Sequence, residues 1–143
     1  MQVKLNESLW VINFLNFQNE KKIVLDFYNS VQKCRTDEIP EILNLHYSEN
    51  IIWRGFHPFN EIQDLVHLYK DFWQPLKKSF TNLQRRMDIF FAGSNSLSSN
   101  RDVWVVSMGH LMGLFDTPWI GIKHTNKIAM LRYCEFNKIV KGK

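Results

Sequence analysis

The chain is short of the residues that build phosphate, cofactor and metal sites. Its six glycines never form G-x-G-x-x-G or G-x-x-x-x-G-K, so neither a dinucleotide turn nor a P-loop is encoded. Its two cysteines, Cys34 and Cys134, belong to no C-x-x-C pair. His57, His67, His110 and His124 lack close ligand spacing. Together these absences argue against a metal and for reduced thiols in a cytoplasmic protein. Long apolar runs are missing too. The greasiest stretch, LWVINFLNF at 9–17, is far below the roughly 20 residues that span a bilayer and has no basic lead with a cleavage site. Export and membrane insertion are not expected. A formal charge of +4 invites nucleic acid, but the basic residues are scattered as Lys21–Lys22, Lys77–Lys78, Arg85–Arg86 and a lysine-rich end. No Lys/Arg stripe with interleaved aromatics exists, which argues against nucleic-acid binding.

What the chain does hold is grease and rings. Its 143 residues suit one domain, 45% are apolar and 14% aromatic. Rings at that density fill a core or line a pocket for flat ligands. Ile23, Val24, Phe27, Tyr28 and Val31 fall on one face of a helix over 20–34, with Asn19 as its cap. Thr36–Tyr47 predicts a second helix, capped by Thr36 or Asp37, with Pro40 in its first turn. A short strand follows at Ile51–Trp53, then a third helix capped by Asn60, running to about Trp73 and ended or kinked at Pro75. After Pro75 the pattern turns to strands, at Leu83–Ala92, Asp102–Met112 and Lys127–Phe136, with NKIVKGK entering one more. The loop GSNSLSSN separates the first two. Helices first and consecutive strands after them predict an α+β fold, with an antiparallel sheet wrapped around the N-terminal helices and a cavity open at one end.

The stretch MGHLMGLFDTPWIGI at 108–122 mixes a histidine, an acid and a tryptophan with aliphatics, as the mouth of an apolar pocket would. The element order resembles the cone-shaped nuclear-transport-factor-2-like fold. Within it, Gly109–His110, the 112–122 loop with Pro118 and Gly121, Thr125–Lys127, and RYCEF at Arg132–Phe136 resemble the SnoaL-like polyketide cyclases. The likeness covers 19–143, leaving 1–18 as an N-terminal extension, and is most specific over 104–140. Three features depart from the family. Its Pro-Pro-Thr-Gly-Lys loop is here Lys123-His124-Thr125-Asn126-Lys127, its histidine after Glu-Phe is Asn137, and the last strand with its acid/base aspartate would begin near Ile139. The expectation is a domain without that last strand. Further chain, a partner, or residues 9–17 folding back would then cover the open sheet edge.

The resemblance implies cofactor-independent aldol cyclisation or isomerisation by acid/base chemistry on a small apolar or aromatic ligand. His110 shares its strand face with Trp104, Val106 and Met108, where an apolar setting would keep it neutral and able to act as a base. The bland alternative is a core histidine bonded to backbone. Asp88, which period two places on the strand face of Arg86 and Phe90, is the substitute for the missing aspartate, or an outward, salt-bridged acid. Trp53, His57, Trp104, Trp119, Tyr28 and Arg132 are the candidate ligand contacts. Their alternatives are plain: Trp119 as a plug, His57-Pro58 as a loop, Tyr28 as core. Arg132 and Glu135 fall on opposite faces of one strand, so only one points inward. A second reading is a non-catalytic ligand-binding or dimerisation domain that has lost the aspartate. A homodimer joined through the outer sheet face is expected in either case.

Overall fold

The computed structural model describes residues 17–95, 97 and 102–143. The expected fold-back of residues 9–17 lies outside these, apart from Phe17. The described chain is α+β with antiparallel sheets. Helix α1, Gln18–Lys33, buries Val24, Phe27, Tyr28 and Val31, the apolar stripe that its spacing encodes. Phe17 takes the cap position and Asn19 lies inside the first turn. A 3₁₀ turn, Thr36–Glu38, leads into α2, Ile39–His46, whose Ile39 and Leu43 are fully buried. The cap is neither Thr36 nor Asp37: the 3₁₀ turn starts from Arg35, whose N–H donates to the Glu38 side chain at 2.8 Å, and Glu38 precedes α2 without a side-chain cap bond of its own.

The third helix departs most from expectation. Asn60 does not cap it; it sits at φ 52° in a turn joining two short strands, β1 (Trp53–Arg54) and β2 (Glu61–Ile62). Asp64 is the true cap, accepting the His67 N–H at 2.8 Å. The segment then runs as α3 (Leu65–His67), a π-helical stretch (Leu68–Trp73) and α4 (Gln74–Ser79). Pro75 does not end it. The π stretch closes with Gln74 N–H donating to Tyr69 C=O, five residues back, and the widened turn admits a residue with no N–H of its own.

The main sheet has the order β3–β4–β5, all antiparallel: Phe80–Ser94, Val103–Phe115 and Lys127–Ile139. The last strand is three residues longer than expected. The final residues form a tight turn instead of another strand, Val140 and Lys143 exchanging backbone bonds around Lys141 and Gly142 at φ 52° and 83°. One sheet face packs on α1. On β4 it consists of Val105, Ser107, Gly109, Leu111, Gly113 and Phe115. Gly109 is required there, because a Cβ would stand 2.1 Å from the Arg86 carbonyl oxygen. The core continues from that face through Phe27, Trp73, Leu76 and Phe80 to Trp119.

Candidate functional site

Parity along β4 decides where each candidate side chain points. With Val105, Ser107 and Leu111 turned toward α1, Trp104, Val106, Met108 and His110 face the other way. The expectation that His110 points into a cavity is therefore corrected: it lies on the outer face of the sheet, in a cross-strand row with Arg86 and Arg132. Asp88 joins it there. A bulge between Met87 and Ile89 resets the alternation of β3, so that Asp88 shares a face with Arg86 and Phe91 and no longer with Phe90, which packs on the core. His110 Nδ1 stands 3.4 Å from Asp88 Oδ2, and Arg132 Nη1 stands 3.3 Å from His110 Nε2 and 3.5 Å from Asp88 Oδ2. A neutral ring that donates from Nδ1 to Asp88 has its one acceptor, Nε2, facing a guanidinium. The lone pair that a base would use is already engaged. Arg132, 56% exposed, also donates to Met108 Sδ.

The remaining candidates scatter. Trp104 is on the outer face with its indole N–H unpartnered. Trp53 and Trp119 belong to a ring cluster. Trp53 lies 4.8 Å from Phe72, and Trp119 lies 5.6 Å from Phe80 and 6.1 Å from Phe59. Trp119 is buried and fills the core under the sheet, as a plug does. His57 is exposed in the β1–β2 loop. Of the eight candidates, only Tyr28 reaches a polar group on the inner face.

That inner face holds a cluster which the strand pattern alone did not reveal. Tyr28 donates to Glu135 Oε2 at 2.5 Å, and Arg85 Nη2 donates to Glu135 Oε1 at 2.9 Å. The Arg85 guanidinium is sandwiched between the rings of Tyr28 and Tyr133, at 3.8 Å and 4.3 Å from their centroids. Ser107 and Tyr133 share a hydroxyl bond at 3.1 Å, and Asn137 reaches the Tyr28 hydroxyl. Burial, then the neighbouring Glu135, pushes the Tyr28 phenol well above its ordinary range. Burial alone opposes the charge on Arg85, but the Glu135 carboxylate outweighs it and holds the guanidinium charged. One sequence signal was available: in the pair Arg85–Arg86 on a strand, one side chain must point inward.

The space beside this cluster is small. A cavity of about 20 Å³ lies between Tyr28, Trp73, Arg85 and Leu111. A larger groove of about 680 Å³ is open to solvent between the β1–β2 turn and the π stretch, lined by Phe59, Ile62, Asp64, His67 and Asp71. Among the described residues no three His, Cys, Asp or Glu side chains gather as metal ligands, and no helix is long and apolar enough to cross a membrane. Comparison with protein-family models, curated proteins and solved structures finds no match for this chain.

Proposed function

We propose that this chain is a non-catalytic homodimerisation domain of the nuclear-transport-factor-2-like kind, working in the cytoplasm. The single observation that carries this reading is the outer sheet face. Ile89 and Phe91 on β3, Leu114 on β4, and Ile128, Met130 and Phe136 on β5 are all exposed there. One sheet face packed on helices with the other left apolar on every strand is the profile of an interface. A second copy fits this face better than a foreign partner, because the polar centre carries both signs: Asp88 sits beside Arg132 and Arg86. A two-fold axis would set Asp88 of one copy against Arg132 of the other. Thirteen-residue strands with a rise of about 3.4 Å, spaced about 4.8 Å apart, give a footprint of roughly 600 Å² before side-chain relief, near the ~800 Å² per partner of a standard interface.

The cyclase-like reading loses its support at the same place. The proposed acid/base pair, His110 and Asp88, is on the outer face, and the inner space of about 20 Å³ is far below the ~300 Å³ that drug-sized ligands need. The small apolar or aromatic ligand of that reading finds no space of this size beside the inner face among the described residues. Sedimentation velocity tests the proposal. The wild-type chain is expected to run as a dimer. Phe136→Glu, which places a charge at an exposed position of that face, is expected to run as a folded monomer. A wild-type monomer at concentrations of about 100 μM, well above a micromolar Kd, refutes the reading.

A further inference from the structure

We propose that the small cavity between α1, the π stretch and the inner face of β3 and β4 is a binding site for the carboxylate end of a small monoanion. Two buried donors at this hollow lack acceptors. The Arg85 side chain is only 8% exposed; its Nη2 is taken by Glu135, while Nη1 is buried with no acceptor. Trp73 is 5% exposed, and its indole N–H is likewise buried with no acceptor. Both residues line this one cavity. Trp104 and Trp119 also carry unpartnered indole N–H groups, but among the described residues only here do two such donors line one hollow, and that pairing calls for an occupant that accepts.

Charge narrows the choice. Lys77 also lines the cavity, its ammonium held by the carbonyls of Val31 at 3.0 Å and Cys34 at 3.2 Å. The lining itself holds two cations, Arg85 and Lys77, and no carboxylate. Glu135 pairs with Arg85 from beside it, and Asp37 and Glu38 stand near Cys34 on the Lys77 side, so no more than a single negative charge is called for. Gln32, also in the lining, spends its carbonyl oxygen on the Arg85 backbone N–H and turns its amide nitrogen into one more donor. The polar lining is thus rich in N–H groups.

Size narrows it further. A hollow of about 20 Å³ exceeds only slightly the roughly 10–15 Å³ that one water needs, so it takes no more than the compact end group of a ligand. A phosphate is too large and brings close to two negative charges where a single one is called for. A carboxylate matches in charge, and it has two oxygens for the Arg85 and Trp73 donors, as guanidinium and indole groups commonly bind one. Its tail would leave past Gln32, which is exposed. Leu83 and Leu111 form the apolar wall. The site is independent of the pairing of sheets, since none of these side chains lies on the outer face.

The test is a titration of the full chain with sodium acetate, followed by nitrogen–proton NMR at the Trp73 indole N–H. Sodium chloride at equal ionic strength and uncharged acetamide serve as controls, and Trp73→Phe assigns the resonance by deleting it. A saturable shift with acetate alone is expected. Lys77→Gln, a change at the lining that leaves Arg85 and Glu135 paired, is expected to weaken acetate on the order of tenfold. Equal shifts with chloride or acetamide, an unchanged affinity in Lys77→Gln, or no saturable shift at about 100 mM acetate overturn the proposal. The last of these would leave the hollow to water.

Discussion

The two faces of the main sheet carry nearly the same chemical kit in opposite settings. Inside, a carboxylate (Glu135), a guanidinium (Arg85) and a ring (Tyr28) meet. Outside, the same trio is Asp88, Arg132 and His110. On the inner face the ion pair closes to 2.9 Å, on the outer face it stands at 3.5 Å; the carboxylates are similarly exposed, at 32% and 40%, and the contrast lies in the guanidinium, 8% exposed in Arg85 and 56% in Arg132. Water accounts for the difference. Where the helices exclude it, a charge must find its partner at full hydrogen-bond geometry. Where water competes, a loose arrangement suffices and contributes little. The inner trio therefore stabilises the fold, and the outer trio is free to act between copies.

The largest expected break in this contrast is Arg85→Met. Glu135, 32% exposed, would keep Tyr28 but lose its guanidinium, and stability should fall by about 2 kcal/mol, read as a lower urea midpoint with an unchanged slope. The double variant Arg85→Met/Glu135→Leu should recover part of that loss, because no unpaired charge remains; equal losses in the two would mean that the inner pair is not a coupled unit.

Alkaline pH should produce the next largest effect. Burial raises the phenols of both Tyr28 and Tyr47 above the ordinary value of 10.0. A group that stays protonated in the fold but ionises in the unfolded chain contributes its full stability below the unfolded pKa, and that stability is lost as pH rises beyond it. Unfolding free energy should thus be level to about pH 8, decline gently as pH passes the ordinary value of the Cys34 thiol, which burial also raises, and fall above about pH 10 by up to ~1.4 kcal/mol per pH unit per tyrosine. Urea midpoints between about pH 9 and 11, roughly one unit on either side of the tyrosine value, test it, and a flat profile would contradict a buried Tyr28.

The smallest effect is expected from His110→Ala. An imidazole 29% exposed, held by contacts of 3.3–3.4 Å, should cost under about 1 kcal/mol when removed from the isolated chain. A loss as large as that of Arg85→Met would place the ring in the core and reverse the assignment of faces.

How much of this was legible beforehand varies with the kind of signal. Helix α1 was, because its apolar residues occupy one stripe and leave the rest polar. The strand regions were as well, from their β-branched and aromatic texture. The orientation of β4 was not. In WVVSMGHLMGLF both alternating sets are apolar, so period two cannot say which faces the helices. The clue lay in the small residues: Ser107, Gly109 and Gly113 share one set, where the backbone of β3 comes close. Asp88 was misplaced with Phe90 because a bulge leaves no mark on the sequence around it. The inner cluster stayed hidden because Glu135 and Arg85 are fifty residues apart, and only the register of β3, β4 and β5 brings them together beside α1.

The central claim is that the outer face meets its own copy. Isotope-filtered NMR on a mixture of labelled and unlabelled chains tests it most directly, since it registers only contacts between molecules. The account predicts intermolecular contacts from Met130, Ile128 and Phe136 and none from Tyr28. Contacts confined to the inner-face residues, or none at all under conditions where the chain is folded and concentrated, would contradict it.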